Sequence, residues 1–378
     1  MHIAVVNLTN GGLSGGYRKY LDQLVPRWAR DVRCSRLSVY LPASVERPAD
    51  AAGAAIEQWP EGEPQRGFAW VRRRIVETQP DVVFIPTARK ISAAGRPVVT
   101  MVRNMEPLLV PFQGNAPFEC LKNVARYVSA WRACRGVARV IAVSQHVRDF
   151  LVSRWRLPDE QVGVVYHGVE PVTGQTEARC PAALADSGAR RFLFTAGSIR
   201  PARGLEDLLR ALPEIRCHQP ELRLYIGGTP TPDARGYAER MRELARRLGV
   251  GDSVVWLGHL GRGEMAWCFG RCDAFVMTSR AEACPNTLLE AMSHGCSIVS
   301  TGCSPMPEFA GGSALYYQPG DAGTLAARVA VELSGDPAGR SVRRARAREL
   351  VARFTWDKTA EQTIEQLILA RTRAGAKR

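Results

Sequence analysis

No stretch of this chain approaches the ~18 consecutive apolar residues of a membrane-spanning helix. The opening residues, Met1-His2-Ile3-Ala4-Val5-Val6, lack the long apolar segment of a secretory leader and read as a strand. The expected location is therefore cytoplasmic, extending to a peripheral place at the inner face of the cell membrane. Aromatic residues are scarce at 7%, and no nucleic-acid-binding motif is present, so no nucleic-acid partner is expected. No Asp-x-Asp pair occurs anywhere, and none of the ten cysteines forms a Cys-x-x-Cys pair. No metal or other cofactor is expected, and the cysteines read as reduced thiols packed as small apolar residues. Neither the dinucleotide Gly-x-Gly-x-x-Gly nor a Walker lysine is found.

What is present excludes a disordered or fibrous chain. The sequence is 46% hydrophobic and 23% charged over 378 residues, enough for two or three domains at roughly 150 residues each. A net charge of +14 points to anionic partners. Short apolar, β-branched runs alternate with helical patterns: Ile3 to Val6, Asp81 to Ile85, Val98 to Val102 and Val140 to Val143. Each is apolar on both faces, as buried strands of a parallel sheet are. A helix is expected from Pro117 to Arg135, with Leu121, Val124, Val128 and Trp131 at three- and four-residue steps, the pattern of an amphipathic helix.

Residues 171–190 are small, polar and turn-rich, and a second series of strands follows. It comprises Phe192 to Ala196, Leu222 to Ile226, Val254 to Leu257, Ala274 to Met277 and Cys296 to Ser300. Two such halves imply an α/β fold of two doubly wound, Rossmann-like domains facing a central cleft. The expected boundaries are 1–172 for the first domain, completed by a C-terminal helix at 356–378, then a linker at 173–190 and a second domain at 191–355.

Three features carry chemistry. Gly11-Gly12 and Gly15-Gly16 lie between the first strand and a helix, where bare backbone and free N–H groups suit an anion; a tight turn without ligand explains them equally well. The loop Gly197-Ser198-Ile199-Arg200-Pro201-Ala202-Arg203-Gly204 sets two guanidinium groups at a helix start, a pattern suited to a phosphate pair. Glu282 lies in the loop after the strand Ala274 to Met277, and Glu290 on the helix that Pro285 opens. Ligands of open α/β sheets bind at the carboxyl ends of strands, and a carboxylate there accepts hydrogen bonds from the vicinal hydroxyls of a ribose or hexose. Surface carboxylates are the commoner cause of a Glu pair at this spacing.

Together these features resemble the GT-B glycosyltransferases of the large retaining family four. Glu282 and Glu290 fall on that family's E-x7-E motif, here EACPNTLLEAM. The likeness continues through His294 to Val299, Ser304 to Glu308, Val254 to Gly258, Ile141 to Ser144 and Val164 to Val169. It implies transfer of a hexosyl group from a nucleoside diphosphate sugar, with front-face attack and retention at the anomeric carbon. The leaving phosphate oxygen would help take the acceptor's proton. Glu290 would hold the ribose hydroxyls; Glu282 with Ala283, Cys284, Pro285 and Asn286 would hold the transferred sugar. Arg203 falls where relatives carry a phosphate-binding lysine, and Gly15 and Gly16 would approach the diphosphate. Ser198 stands where relatives often have arginine, leaving that role to Arg200 or vacant. Where relatives often have a histidine near the reacting sugar, this chain offers Arg103 or Asn104, or leaves the role empty.

The implied partners are a nucleotide sugar and a glycan or lipid-linked glycan acceptor of cell-surface polysaccharide synthesis. A sugar-nucleotide epimerase, or a non-catalytic glycan- or lipid-binding partner on the same scaffold, is the alternative. The stretch 103–156 carries nine basic residues against three acidic ones; it suits an anionic membrane surface or a diphospholipid acceptor, while a solvated face is the plainer reading. Of the six histidines, His146 and His167 border the expected cleft.

Overall fold

The computed structural model describes residues 1–8, 15–48, 51–59, 64–110, 112, 114–172, 177–185 and 191–375. Gly11, Gly12, parts of the 173–190 segment, and Lys377 and Arg378 of the basic tail lie outside them. The chain forms two compact units: residues 1–105, 124–168 and 354–378 make the first, and residues 106–123 and 169–353 the second.

The first unit is built on seven parallel strands: β1 (His2–Val6), β2 (Arg36–Pro42), β3 (Ala54–Trp59), β4 (Val82–Ile85), β5 (Val98–Val102), β6 (Arg139–Ala142) and β7 (Val162–Val164). Their order is β3-β2-β1-β4-β5-β6-β7. The central strand β1 pairs Ile3 with Leu37 on one side and with Val82 on the other. Val82 to Ile85 and Val98 to Val102 are buried throughout, because crossover helices cover both faces of a doubly wound sheet. The C-terminal helix Trp356–Gly375 closes this unit. Trp28 Nε1 donates to the Ala360 carbonyl at 3.2 Å, Thr359 Oγ1 to the Tyr166 carbonyl at 2.8 Å, and Arg27 pairs with Asp357 at 2.7 Å.

The second unit repeats the plan with six parallel strands: β8 (Phe192–Ala196), β9 (Arg223–Gly227), β10 (Val254–Gly258), β11 (Ala274–Met277), β12 (Ile298–Thr301) and β13 (Leu315–Tyr317). The order β10-β9-β8-β11-β12-β13 reverses direction between β8 and β11. That switch point is where such sheets bind ligands, at the carboxyl ends of the strands.

Two features depart from the sequence reading. Residues 106–123 group with the second unit rather than with 1–172, because Glu106 pairs with Arg200 at 2.6 Å and the Gly114 carbonyl accepts from Arg240 at 3.2 Å. The expected linker is likewise attached where described: Arg179 N donates to the Gly263 carbonyl at 3.0 Å, and Leu184 is buried. The second departure concerns the helix Pro117–Arg135. It forms with the expected bounds, but Leu121, Val124 and Val128 face outward, while Glu119, Asn123, Ala130 and Cys134 are buried. Periodicity located a stripe; it did not determine which side is covered.

All ten cysteines are free thiols. Burial pushes Cys134 and Cys268 up to about 12, so neither carries thiolate at neutral pH. No helix among the described residues is long and apolar enough to cross a membrane.

Candidate active site

The switch point of the second sheet holds a shallow, half-open pocket, lined by Thr195 to Ser198 at the end of β8, by Ile226 and Gly227 of β9, by Met277 to Ser279 at and after the end of β11, and by Arg203 and Leu205. The loop leaving β8 is shaped by two glycines. Gly197 has φ +142°, and a Cβ there would stand 2.8 Å from the Arg203 guanidinium carbon. Gly204 has φ +60°, and its Cβ would stand 2.5 Å from the Thr278 carbonyl oxygen. Conformation disfavours a side chain at both positions, and at Gly204 the Thr278 backbone carbonyl leaves no space for one either. A single 3-10 turn, Pro201–Arg203, ends on Gly204 and leads directly into the helix Leu205–His218.

Arg203 is held against this loop from the β11 side. Its Nη1 donates to Glu282 Oε1 at 2.6 Å and to Ser279 Oγ at 3.1 Å, while its carbonyl accepts from Thr278 Oγ1 at 2.6 Å. Glu282 and Arg203 side chains are only 12% and 17% exposed, so the pair sits in a low-dielectric setting where charge counts for more. Arg200, three residues earlier, turns to Glu106 at 2.6 Å. The Nε groups of Arg200 and Arg203 are both buried without a hydrogen-bond partner among the described residues. Buried donors are almost always satisfied, and two guanidinium donors left open beside a glycine loop are suited to an oxyanion.

A second ionic cluster anchors the loops from behind. Arg280, next to Ser279, pairs with Glu206 at 2.7 Å and with the fully buried Asp207 at 3.2 Å. Asp207 also accepts from Gly320 N at 2.9 Å and from Tyr317 at 3.4 Å, and the Glu206 carboxylate accepts from Tyr237 at 2.5 Å. These contacts tie the loop after β8 to the loop after β11.

Within the second unit, then, Ser198 and Arg203 line the pocket, Glu282 joins it through its pair with Arg203, and Arg200 belongs to the same loop but faces Glu106. Ala283, Cys284 and Pro285 are buried and carry the chain into the helix Asn286–Ser293, which holds Glu290; Cys284 Sγ lies 3.6 Å from Asn286 Oδ1. The remaining predicted residues belong to the first unit. Gly15 and Gly16 open the helix Gly15–Arg30, Asn104 is exposed, and the Arg103 guanidinium lies 4.2 Å from the Tyr17 ring centroid and 5.7 Å from that of Tyr20. His167 is packed into an aromatic cluster, stacked with Trp356 at 6.1 Å and set against Tyr20 at 5.2 Å.

Sequence reasoning missed Glu106 and the Arg280–Glu206–Asp207 cluster. Burial holds the Glu106 carboxyl above the ordinary range, opposed by Arg200 and Arg203. The Glu206-Asp207 pair directly after Gly204-Leu205 was the available signal for the cluster; nothing local marked Glu106.

Two family models match consecutive parts of the chain: one described as glycosyltransferase family 4 over residues 14–172, and one described as glycosyl transferases group 1 over residues 190–334. They fall on the two halves in order and take in most of the chain. The chain belongs to the family-four glycosyltransferases of the GT-B fold. A D-inositol 3-phosphate glycosyltransferase of Streptomyces avermitilis is 29% identical over 64% of this chain and 54% of its own length. A glycogen synthase of Mycobacterium tuberculosis is 26% identical over 56% and 49%. The chain thus spans about half the length of these curated relatives. Among solved structures, HepE of Anabaena in complex with UDP and glucose aligns over 97% of this chain and 99% of its own, at 18% identity and a TM-score of 0.77. The lipopolysaccharide outer core galactosyltransferase WaaB aligns over 97% and 99%, at 15% identity and 0.68. These structural likenesses establish the fold.

Proposed function

We propose that the chain is a retaining hexosyltransferase that takes a hexosyl group from a nucleoside diphosphate sugar and passes it to a glycan or lipid-linked glycan, in the synthesis of a cell-surface polysaccharide. The observation that carries this reading is the Arg203–Glu282 pair at the switch point of the second sheet, beside a loop whose backbone favours glycine at two positions. HepE was crystallised with UDP, glucose and UDP-glucose, so uridine is the first base to test.

Breaking the anomeric bond leaves negative charge on a diphosphate while the sugar takes oxocarbenium character. The residues of the cavity answer that need. Arg203 stabilises the leaving phosphate, and the N–H of Ser198 supplies a further donor along the loop, the Gly197 N–H being taken by the Gly227 carbonyl at 3.0 Å. Arg200 adds a second charge once a phosphate competes with Glu106 for it. Glu282, relieved of Arg203, accepts hydrogen bonds from the hydroxyls of the transferred sugar, and the backbone from Ala283 to Asn286 frames that sugar. Glu290 takes the ribose hydroxyls. No protein nucleophile is assigned; the leaving phosphate oxygen takes the acceptor's proton. For the first unit, the sequence resemblance assigns Arg103 or Asn104 to the reacting sugar and Gly15 and Gly16 to the diphosphate. No metal is part of this scheme.

Release of UDP from UDP-glucose, measured with and without added glycan acceptors, tests the reading. The Glu282→Gln variant should lower turnover by about 10²–10³-fold, and the product anomer read by NMR should match the donor's. Inversion would remove the retaining assignment, and turnover that needs no acceptor and returns an epimerised donor would favour the epimerase.

A further inference from the structure

We propose, resting on the donor site described above, that Glu106 is a positioning residue for the donor: it holds the Arg200 guanidinium and yields it to the diphosphate, so that donor binding exchanges one anion for another at Arg200. Glu106 Oε2 lies 2.6 Å from Arg200 Nη1, with the two side chains 11% and 27% exposed. Glu106 is the first residue of a single helical turn, Glu106–Leu109, whose Pro107 and Leu108 are buried, and its carbonyl accepts from Val110 N at 3.0 Å. The same segment meets the phosphate loop a second time at Gly114. That glycine has φ +70°, and a Cβ there would stand 3.0 Å from the Pro201 Cβ. Its carbonyl accepts from Arg240 at 3.2 Å. A carboxylate whose backbone is fixed beside the loop does not drift from its partner as a solvated surface pair does.

Arg200 retains an open donor. Its Nη1 is given to Glu106, while its Nε is buried with no hydrogen-bond partner among the described residues. Arg280 shows the contrast, for it turns Nη1 to Glu206 and Nη2 to Asp207, as an anchoring arginine does. The charges around Glu106 favour an exchange. Arg200 and Arg203 from the loop after β8 support its charged form, whereas Glu282 from the loop after β11 and Asp233 of the turn Pro232–Ala234 oppose it. Two guanidiniums therefore already face three carboxylates. A diphosphate brings one negative charge on each phosphate, and like charges crowded where water is scarce do not all stay ionised. The phosphate oxygens take Arg200, and Glu106 then takes a proton or turns toward water. Burial already raises the Glu106 carboxyl above its ordinary value of 4.5. Below its pKa Glu106 is neutral and leaves Arg200 to the donor; above it the carboxylate competes, so donor affinity falls as pH rises.

Calorimetric titration of the full chain with UDP-glucose, GDP-glucose and ADP-glucose tests this, because the phosphates of these ligands keep one charge each throughout. Affinity is read from about pH 5 to about pH 8 in parent, Glu106→Gln and Glu106→Ala protein. At the upper end both variants should bind about tenfold more tightly than the parent, the strength of one charge-assisted contact. At the lower end the gap between parent and Glu106→Gln should close, since protonation makes the two alike. In an Arg200→Gln background the Glu106 substitutions should shift affinity by less than about twofold, because the exchange has lost its guanidinium. Unchanged or weaker binding in Glu106→Gln at every pH overturns the proposal and leaves the donor site standing. A gain in affinity that persists undiminished in the Arg200→Gln background overturns it as well, for Glu106 would then repel the donor without acting through Arg200. Binding of none of the three nucleotides by the parent overturns the donor reading and the exchange together.

Discussion

The two units share one plan and finish it with opposite chemistry. In the second, the loops leaving β8 and β11 carry Arg203, Glu282 and Arg280, and the first turn of the helix Leu205–His218 carries Glu206 and Asp207, knitted by ion pairs of 2.6–3.2 Å. In the first, the region beside the helix Gly15–Arg30 is aromatic: Tyr20 lies edge-on to Trp28 and Trp356 at 6.3 and 6.2 Å, with His167 stacked among them and Arg103 over the ring of Tyr17. A doubly wound sheet fixes where a site lies, and the loops decide what it binds. A loop charged on both sides, with two guanidinium donors left open, suits a diphosphate. An apolar, aromatic floor gives a rigid body with few charges to satisfy.

The contrast makes the ionic cluster the more vulnerable half. Asp207 is fully buried and serves Arg280, Gly320 N and Tyr317 at once. Asp207→Ala should cost about 3–5 kcal/mol, because it strands Arg280 with only Glu206 to answer it; urea unfolding measures this, and a loss below about 1 kcal/mol would mean that the cluster does not anchor the loops.

A smaller effect is expected at Glu106. Its carboxyl is held above the ordinary range by burial, despite Arg200 and Arg203. The folded state therefore holds the proton more tightly than the unfolded chain, and stability falls as pH rises from the unfolded value, near 4.5, through the raised folded one. Glu106→Gln removes that dependence. The difference in melting temperature between variant and parent should move in the variant's favour across this window, and a shift of the opposite sign would show that the Arg200 pair outweighs burial.

The smallest change should come in the aromatic half. The Tyr17 hydroxyl is buried without a hydrogen-bond partner among the described residues, so Tyr17→Phe should alter stability by no more than about 0.5 kcal/mol. A larger loss would reveal a partner for that hydroxyl.

The sequence made the buried strands legible, because Val82 to Ile85 and Val98 to Val102 must be apolar on both faces. It did not reveal β3, an edge strand with Glu57 and Gln58 only partly covered, or β7 and β13, three residues each at sheet edges, or β2, where Ser38 breaks the apolar run. The charge on the loops after β8 and β11 was legible because Arg200, Arg203 and Glu282 sit at fixed local spacings around glycine and proline. Glu106 was not, since its meeting with Arg200 is a product of tertiary folding that no local spacing records. The helix Pro117–Arg135 shows the same limit, for its period predicted a stripe and only packing determined which side meets water.

The most direct test of the account is thermal stabilisation of the chain by UDP, GDP, ADP and their glucose conjugates, in parent and Arg203→Ala protein. A ligand that binds only the folded state raises the melting temperature by mass action. The account predicts a clear response to one nucleotide family, lost or reduced by about tenfold in affinity in Arg203→Ala, which removes a charge-assisted phosphate contact. No response from the parent chain to any of them, or an equal response from the variant, would contradict the assignment of the donor site to the Arg203–Glu282 pair.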